Sequence, residues 1–311
     1  MIDFPIVDSH VHLMNPQRLG YAWTKGAPSL NRLLLPADFM AAAAPVVVDK
    51  FVFVEVDVDY PQHLDEARWV AELARADARL KGMVAAVPLE KGAAIAGEIE
   101  ELARSPVVRG VRRLIQNQPD PDFSIRPDFI AGLKLLAPHD LVFDICVVHH
   151  QLPNAIKMVG QCPELRFVLD HIGKPAIKAG LMDPWRQHMK ELAAFPNVVC
   201  KISGVATEAD HKNWTRQQLR PYIAHAIECF GFDRSLYGGD WHVLELAGTY
   251  PDWVDIVDWV TAGASPEERR KLFRDNTIRV YRLDDKRREG PPGSRRRRAR
   301  GQAPARPGLP N

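Results

Sequence analysis

The chain offers little from which a cross-linked or membrane-borne protein would be built. Its four cysteines, Cys146, Cys162, Cys200 and Cys229, are far apart and form no C-x-x-C pair. That excludes a disulfide frame and a zinc knuckle, and reduced buried thiols of a cytoplasmic protein are expected. No apolar run reaches the ~18 residues of a membrane span. No basic segment followed by an apolar stretch opens the chain, so no secretory signal is read. No glycine-rich phosphate loop follows an early strand, which disfavours a doubly wound nucleotide fold. Charge is also unevenly spread. Residues 286–311 hold nine Lys or Arg against Glu289, a net +8 in a chain of net +2, which leaves −6 for residues 1–285.

What is present is a rhythm. With 46% hydrophobic and 26% charged residues, 311 residues suffice for a large soluble core. Short apolar segments at 4–7, 51–56, 82–89, 107–114, 141–148, 165–170, 198–202 and 235–239 read as strands. Helical patterns at 63–79, 93–104, 128–137, 153–161, 184–195, 215–230, 253–262 and 266–281 separate or close them. Asp183-Pro184 and Ser265-Pro266-Glu267-Glu268 place a capping residue before a proline at the first helical position. Residues 16–36 read as a long loop carrying Trp23. Eight β-α units on one parallel sheet predict a single (β/α)8 TIM-type barrel over 1–285. Nine of the last 26 residues are Gly or Pro, and Arg295 to Arg298 is unbroken. Residues 286–311 are therefore expected to be a disordered Arg/Pro/Gly-rich tail.

Catalytic groups of such barrels sit at the C-terminal ends of the strands. The first strand ends Asp8-Ser9-His10-Val11-His12, and strict alternation puts Asp8, His10 and His12 on one face. Alone, two histidines at this spacing are more often ordinary residues than ligands. The later strands change that weighting. They end in Glu55, Asp57 and Asp59; in Arg112 and Arg113; in His149 and His150; in Asp170, His171 and Lys174; in Lys201 and Ser203; and in Asp240. Apolar strands that repeatedly end in ionisable groups are hard to explain by packing, because burying unpaired charge is costly.

The ordered motifs V-D-S-H-V-H (7–12), V-R-G-V-R (108–112), L-D-H-I-G-K-P (169–175), K-I-S-G (201–204) and Y-G-G-D-W (237–241) resemble the amidohydrolase superfamily. The nearest likeness is the branch of sugar-acid lactonases. The resemblance implies a hydrolase opening an L-fuconolactone-like aldonolactone, with Asp240 as base for the attacking water. His171 joins it as a catalytic residue. His10 and His12, with His171 and Asp240, would hold a single divalent cation, zinc or manganese, or would polarise the carbonyl directly without metal. Arg112, Lys174 and Trp23 are the expected substrate-binding residues. Where binuclear members carry a bridging lysine or glutamate this chain has Arg112 and Arg113, so two metals are not expected.

A metal-dependent decarboxylase of an aromatic or unsaturated acid is the alternative within the superfamily. The expected partner is a small sugar lactone, with no membrane. Nucleic acid would involve the tail alone, and a homo-oligomer is compatible with the reading.

Overall fold

The computed structural model of the protein describes residues 2–284. Eight parallel strands pair in chain order: β1 (Ile6–Val11), β2 (Val48–Val54), β3 (Leu80–Ala86), β4 (Val108–Arg112), β5 (Val142–Ile145), β6 (Phe167–Leu169), β7 (Val198–Ile202) and β8 (Ser235–Tyr237). The ring closes where the ends of β1 and β8 meet. Val11 pairs with Trp241, His12 N donates to Trp241 O (2.6 Å), and Asp240 N donates to His10 O (2.8 Å). This is the expected (β/α)8 barrel. The tail at 286–311 lies outside the described residues.

The helices are α1 (Pro36–Ala43), α2 (His63–Ala76), α3 (Ala96–Arg104), α4 (Pro127–Lys134), α5 (Leu152–Gly160), α6 (Trp185–Ala193), α7 (Arg216–Phe230), α8 (Tyr250–Val260), α9 (Pro266–Arg270) and α10 (Asn276–Tyr281). The alanine-rich α1 is not foreshadowed by any apolar period. Its start is marked instead by Pro36 and by the Asp38 carboxylate, which accepts from Leu35 N. Ser265 and Glu268 form the expected capping box of α9. Asp183 does not cap α6: the helix starts one residue later, and the Asp183 carboxylate takes Arg186 instead. One turn of π-helix, Lys271–Asp275, joins α9 to α10, so the single helix expected over 266–281 is continuous but irregular.

Inside the ring, one aliphatic layer collects Val7, Val52, Val54, Val84, Val142, Val168, Val199 and Leu236. Val280, Tyr281 and Leu283 plug it from below. On β4 the same level is Gly110, because a Cβ there would stand 2.6 Å from Val142 Cγ2. Period-two alternation then decides what lies above. Two residues beyond Gly110, Val142, Val168 and Val199 stand Arg112, Asp144, Asp170 and Lys201, all buried. The barrel interior therefore changes from aliphatic to ionic in a single step.

β1 departs from this alternation. Val7 belongs to the interior layer, whereas Val11 packs in the outer core between strands and helices. The pairing with β2 is irregular between Asp8 and Val11. That slip corrects the expectation that Asp8 shares a face with both histidines.

Candidate active site

The closing seam explains why residues some 230 positions apart share one centre. His10 and His12 end β1, and Asp240 follows β8 on the neighbouring chain segment. His10 Nε2 lies 3.2 Å from His12 Nε2, and Asp240 Oδ1 lies 3.3 Å from His12 Nε2 and 3.7 Å from His10 Nε2. A circle through these three atoms has a radius of about 2.0 Å, the usual zinc–nitrogen or zinc–oxygen bond length. The tautomer of His12 agrees. Its Nδ1 is 2.8 Å from Val54 O, and a carbonyl can only accept, so Nδ1 carries the proton. His12 Nε2 thus faces the Asp240 carboxylate, and the 3.3 Å between them calls for a cation or a proton. The donor set fits one divalent ion.

Asp8 anchors this centre from outside it. Its carboxylate accepts from His10 N (2.8 Å), Gly239 N (2.9 Å) and Tyr250 OH (2.7 Å), tying β1 to the β8 end and to α8. Burial raises its pKa to about 6 against those donors.

Beneath the histidines lies the ionic layer. Lys201 Nζ is 2.6 Å from Asp144 Oδ2, 3.0 Å from Asp170 Oδ1 and 3.3 Å from His10 Nδ1. Arg112 gives Nε to Glu55 Oε1 (2.5 Å) and Nη1 to Asp170 Oδ2 (3.1 Å). Burial alone would raise the pKa of Asp170, but Lys201, His10 and Arg112 bring it well below the usual carboxylate range. Burial drives His10 well below the ordinary histidine value, helped by the Lys201 charge. Asp240 is likewise lowered: burial opposes ionisation, and His171, His12 and His10 overcome it. The site thus sets the neutral imidazole of His10 against the ionised carboxylates of Asp170 and Asp240.

His171 stands at the rim of this centre, with its Nδ1 2.9 Å from Ser203 Oγ and 3.9 Å from Asp240 Oδ2. Burial lowers its pKa to about 4. The segment from His171 to Lys174 has positive φ at every residue, and Asp57 and Asp240 are positive as well. Non-glycine residues adopt that region at a cost and collect at functional sites.

Above the centre opens a pocket bounded in part by His12, Trp23, Asp57, Arg112, Lys174 and Asp240. Trp23 is a wall, pinned by Nε1 to Val56 O at 2.8 Å. Lys174 Nζ is 3.5 Å from Glu208 Oε1. All seven residues singled out as site residues from sequence gather here: His10 in the buried donor set and the other six on the pocket wall. Arg113 points away and takes Glu90, while His149 and His150 sit in a turn beyond β5, off the wall. Sequence reasoning gave no role to Asp8, Asp57, Asp170, Lys201 or Ser203, although each lies in or beside a strand-end motif. His242, whose two ring nitrogens accept or donate nothing among the described residues, was not noticed at all.

A family model described as amidohydrolase matches residues 7–283. An L-fucono-1,5-lactonase of Burkholderia ambifaria is 32% identical over 284 residues, covering 89% of this chain and 96% of the relative. A second L-fucono-1,5-lactonase, from Burkholderia multivorans, is 31% identical and covers 90% and 96%. An amidohydrolase from Burkholderia multivorans, solved with bound zinc, superposes with a TM-score of 0.81 at 29% identity, over 90% of this chain and all of that one. The likeness read from the strand-end motifs is borne out.

Proposed function

Since the chain belongs to the amidohydrolase family, we propose that it is a lactonase that opens a neutral sugar-acid lactone to its free acid. The observation that carries this is Asp240, its carboxyl held low and packed against His10, His12 and His171 at the floor of the pocket. The names of the lactonase relatives support the substrate class.

An ester of this kind needs its carbonyl polarised, its water deprotonated and its ring oxygen protonated as it leaves. Asp240 takes a proton from water as the water oxygen adds to the carbonyl carbon. The bond from that carbon to the ring oxygen then breaks, and the ring oxygen receives the proton held by Asp240. His171, aimed by Ser203, faces the same reacting atoms. A divalent ion held by His10, His12 and Asp240 would supply Lewis-acid polarisation. His12 Nε2, with Nδ1 anchored on Val54 O, is aimed at the same point as Asp240 and would serve either as a ligand to that ion or as a donor to the carbonyl.

The test is a pH-indicator screen of aldonolactones on chelated protein and on protein supplied with zinc or manganese. Acid release from at least one 1,5-lactone is expected, with Asp240→Asn slower by about 10²–10⁴-fold while its circular dichroism is unchanged. A folded Asp240→Asn variant keeping more than about a tenth of the rate refutes the base assignment. Release of CO₂ from aromatic acids, with no lactone opened, refutes the reaction class.

A further inference from the structure

The mouth of the barrel contains one carboxylate that neither the ionic layer nor the hydrolytic step uses. Asp57 follows β2 and forms part of the pocket wall beside Trp23. Its φ is +53°, a conformation that a non-glycine residue holds only when its surroundings impose it. Those surroundings are visible. Asp57 N donates to Glu55 Oε2 at 2.8 Å, Glu55 is itself fixed by Arg112, and the preceding carbonyl, Val56 O, accepts from Trp23. The backbone is held from both sides, yet the Asp57 carboxylate accepts no hydrogen bond and joins no ion pair among the described residues.

The cations nearby are otherwise engaged. Arg112 is taken by Glu55 and Asp170, Lys174 faces Glu208, and Arg113 is held by Glu90 between Tyr60 and Phe123. Among the described residues lining the pocket, then, neither Arg112 nor Lys174 lacks a carboxylate, whereas Asp57 lacks a cation and, unlike Asp240, has no imidazole beside it either. A ligand that brings hydroxyl donors satisfies this arrangement. A ligand that brings its own carboxylate meets like charge and finds no free counter-charge, a mismatch that costs affinity when desolvated.

We propose that Asp57 selects the substrate: its carboxylate accepts hydrogen bonds from hydroxyls of a neutral sugar ring and excludes lactones that carry an acid group. The proposal rests on the lactonase reading for its substrate class, but not for its charge argument. The groups that set the ionisation of Asp57 are Glu55, Asp59 and Tyr60 on its own segment, Glu66 from α2, and Arg112 and Arg113 at and just beyond the end of β4. Burial, and after it the Glu55 charge, raises its pKa to about 6. Selection is therefore complete above that pH and fades below it.

The experiment compares wild type with Asp57→Asn and Asp57→Ala on a neutral aldono-1,5-lactone and on a lactone of the same ring bearing a carboxylate. Calorimetric binding of the corresponding neutral and carboxylated lactams runs alongside, since a lactam binds without turning over. Wild type should favour the neutral member of each pair by at least about tenfold at pH 7.5. Asp57→Asn should raise KM for the neutral lactone about tenfold with kcat nearly unchanged, and should move the neutral-to-anionic preference by a similar factor. Wild-type preference should fall as pH drops through about 6, and that of Asp57→Asn should not. Should wild type open no lactone, the lactonase reading fails, and the lactam affinities still decide on Asp57. Unchanged preference and unchanged affinity in a folded Asp57→Asn variant overturn the proposal.

Discussion

Replacing Lys201 by methionine keeps most of the side-chain volume and removes the charge at the centre of the ionic layer. Lys201 is fully buried, and its ammonium stands 2.6 Å from Asp144 and 3.0 Å from Asp170. Without it, Asp170 retains Arg112, whereas among the described residues Asp144 retains only the Tyr281 hydroxyl, at 2.8 and 3.0 Å. A buried charge stripped of its partner costs about 3–5 kcal/mol. For a domain of this size each kcal/mol lowers Tm by roughly 2–4 °C, so a fall of roughly 6–20 °C is expected at pH 8. The pH dependence follows from the sign of the Asp144 shift. Burial already raises this pKa above its unfolded value, and loss of the Lys201 charge raises it further. The native variant then holds a proton that the unfolded chain has released, so its stability falls as pH rises. The deficit should be smaller at pH 5.5 than at pH 8, and Asp144→Asn added to Lys201→Met should recover part of it. Thermal melts followed by circular dichroism read all three variants. A Lys201→Met protein melting within about 2 °C of wild type at pH 8 would refute the claim that this lysine neutralises the layer.

Two further changes probe the rim. Gly204 has φ +60°, and a Cβ there would lie 2.5 Å from His171 Nδ1 and 3.0 Å from Asp240 Oδ2. Gly204→Ala should therefore displace His171 and lower kcat by about 10²-fold, the scale of a misplacement near 1 Å, with melting temperature changed far less. A variant with wild-type kcat would show that His171 is not where the chemistry occurs. Trp23→Phe keeps an aromatic wall but loses the donor to Val56 O. It should raise KM about 3–10-fold with kcat close to wild type, and steady-state kinetics in which kcat falls instead would make Trp23 more than a wall.

The barrel was legible because its period is written in one dimension: apolar segments recur about every thirty residues, and each ends in ionisable side chains. That His10, His12, His171 and Asp240 gather at one end of the barrel was legible for the same reason, since each stands at or just beyond a strand end. What stayed hidden depends on pairing in space. Arg112 looks from sequence like a free fork for an anion, but its guanidinium is committed to Glu55 and Asp170, which lie 57 and 58 residues away. Asp8 reads from sequence as sharing a face with both histidines, and one slip of pairing between Asp8 and Val11 sends its carboxylate to Gly239 and Tyr250 instead. Period-two arithmetic places Lys201, Asp144 and Asp170 in the interior, but only the closed ring brings them within 3.0 Å. Asp57 had the weakest signal, an acidic residue among three near one strand end, distinguished only by a backbone conformation that sequence does not report.

The same ionic layer bears on how many metal ions the centre can take. The described residues hold a second donor triple, His10, Asp170 and His171. It is already served by organic cations: Lys201 Nζ lies 3.0 Å from Asp170 Oδ1 and 3.3 Å from His10 Nδ1, and Arg112 Nη1 lies 3.1 Å from Asp170 Oδ2. A divalent ion placed about 3 Å from either would be repelled by on the order of 10 kcal/mol at an effective dielectric near 20. The His10, His12 and Asp240 triple is less crowded: Arg112 Nη1 lies 3.4 Å from His10 Nε2, but among the described residues no Lys or Arg pairs with His12 or Asp240. One divalent ion per chain is therefore expected when zinc is titrated into chelated protein, and His12→Ala should remove that binding while Asp170 and its cations stay in place. Calorimetry and metal analysis after dialysis give the stoichiometry directly. A second equivalent bound with comparable affinity would mean that Lys201 or Arg112 yields its place, and the account of a fixed cationic floor beneath the histidines would fall with it.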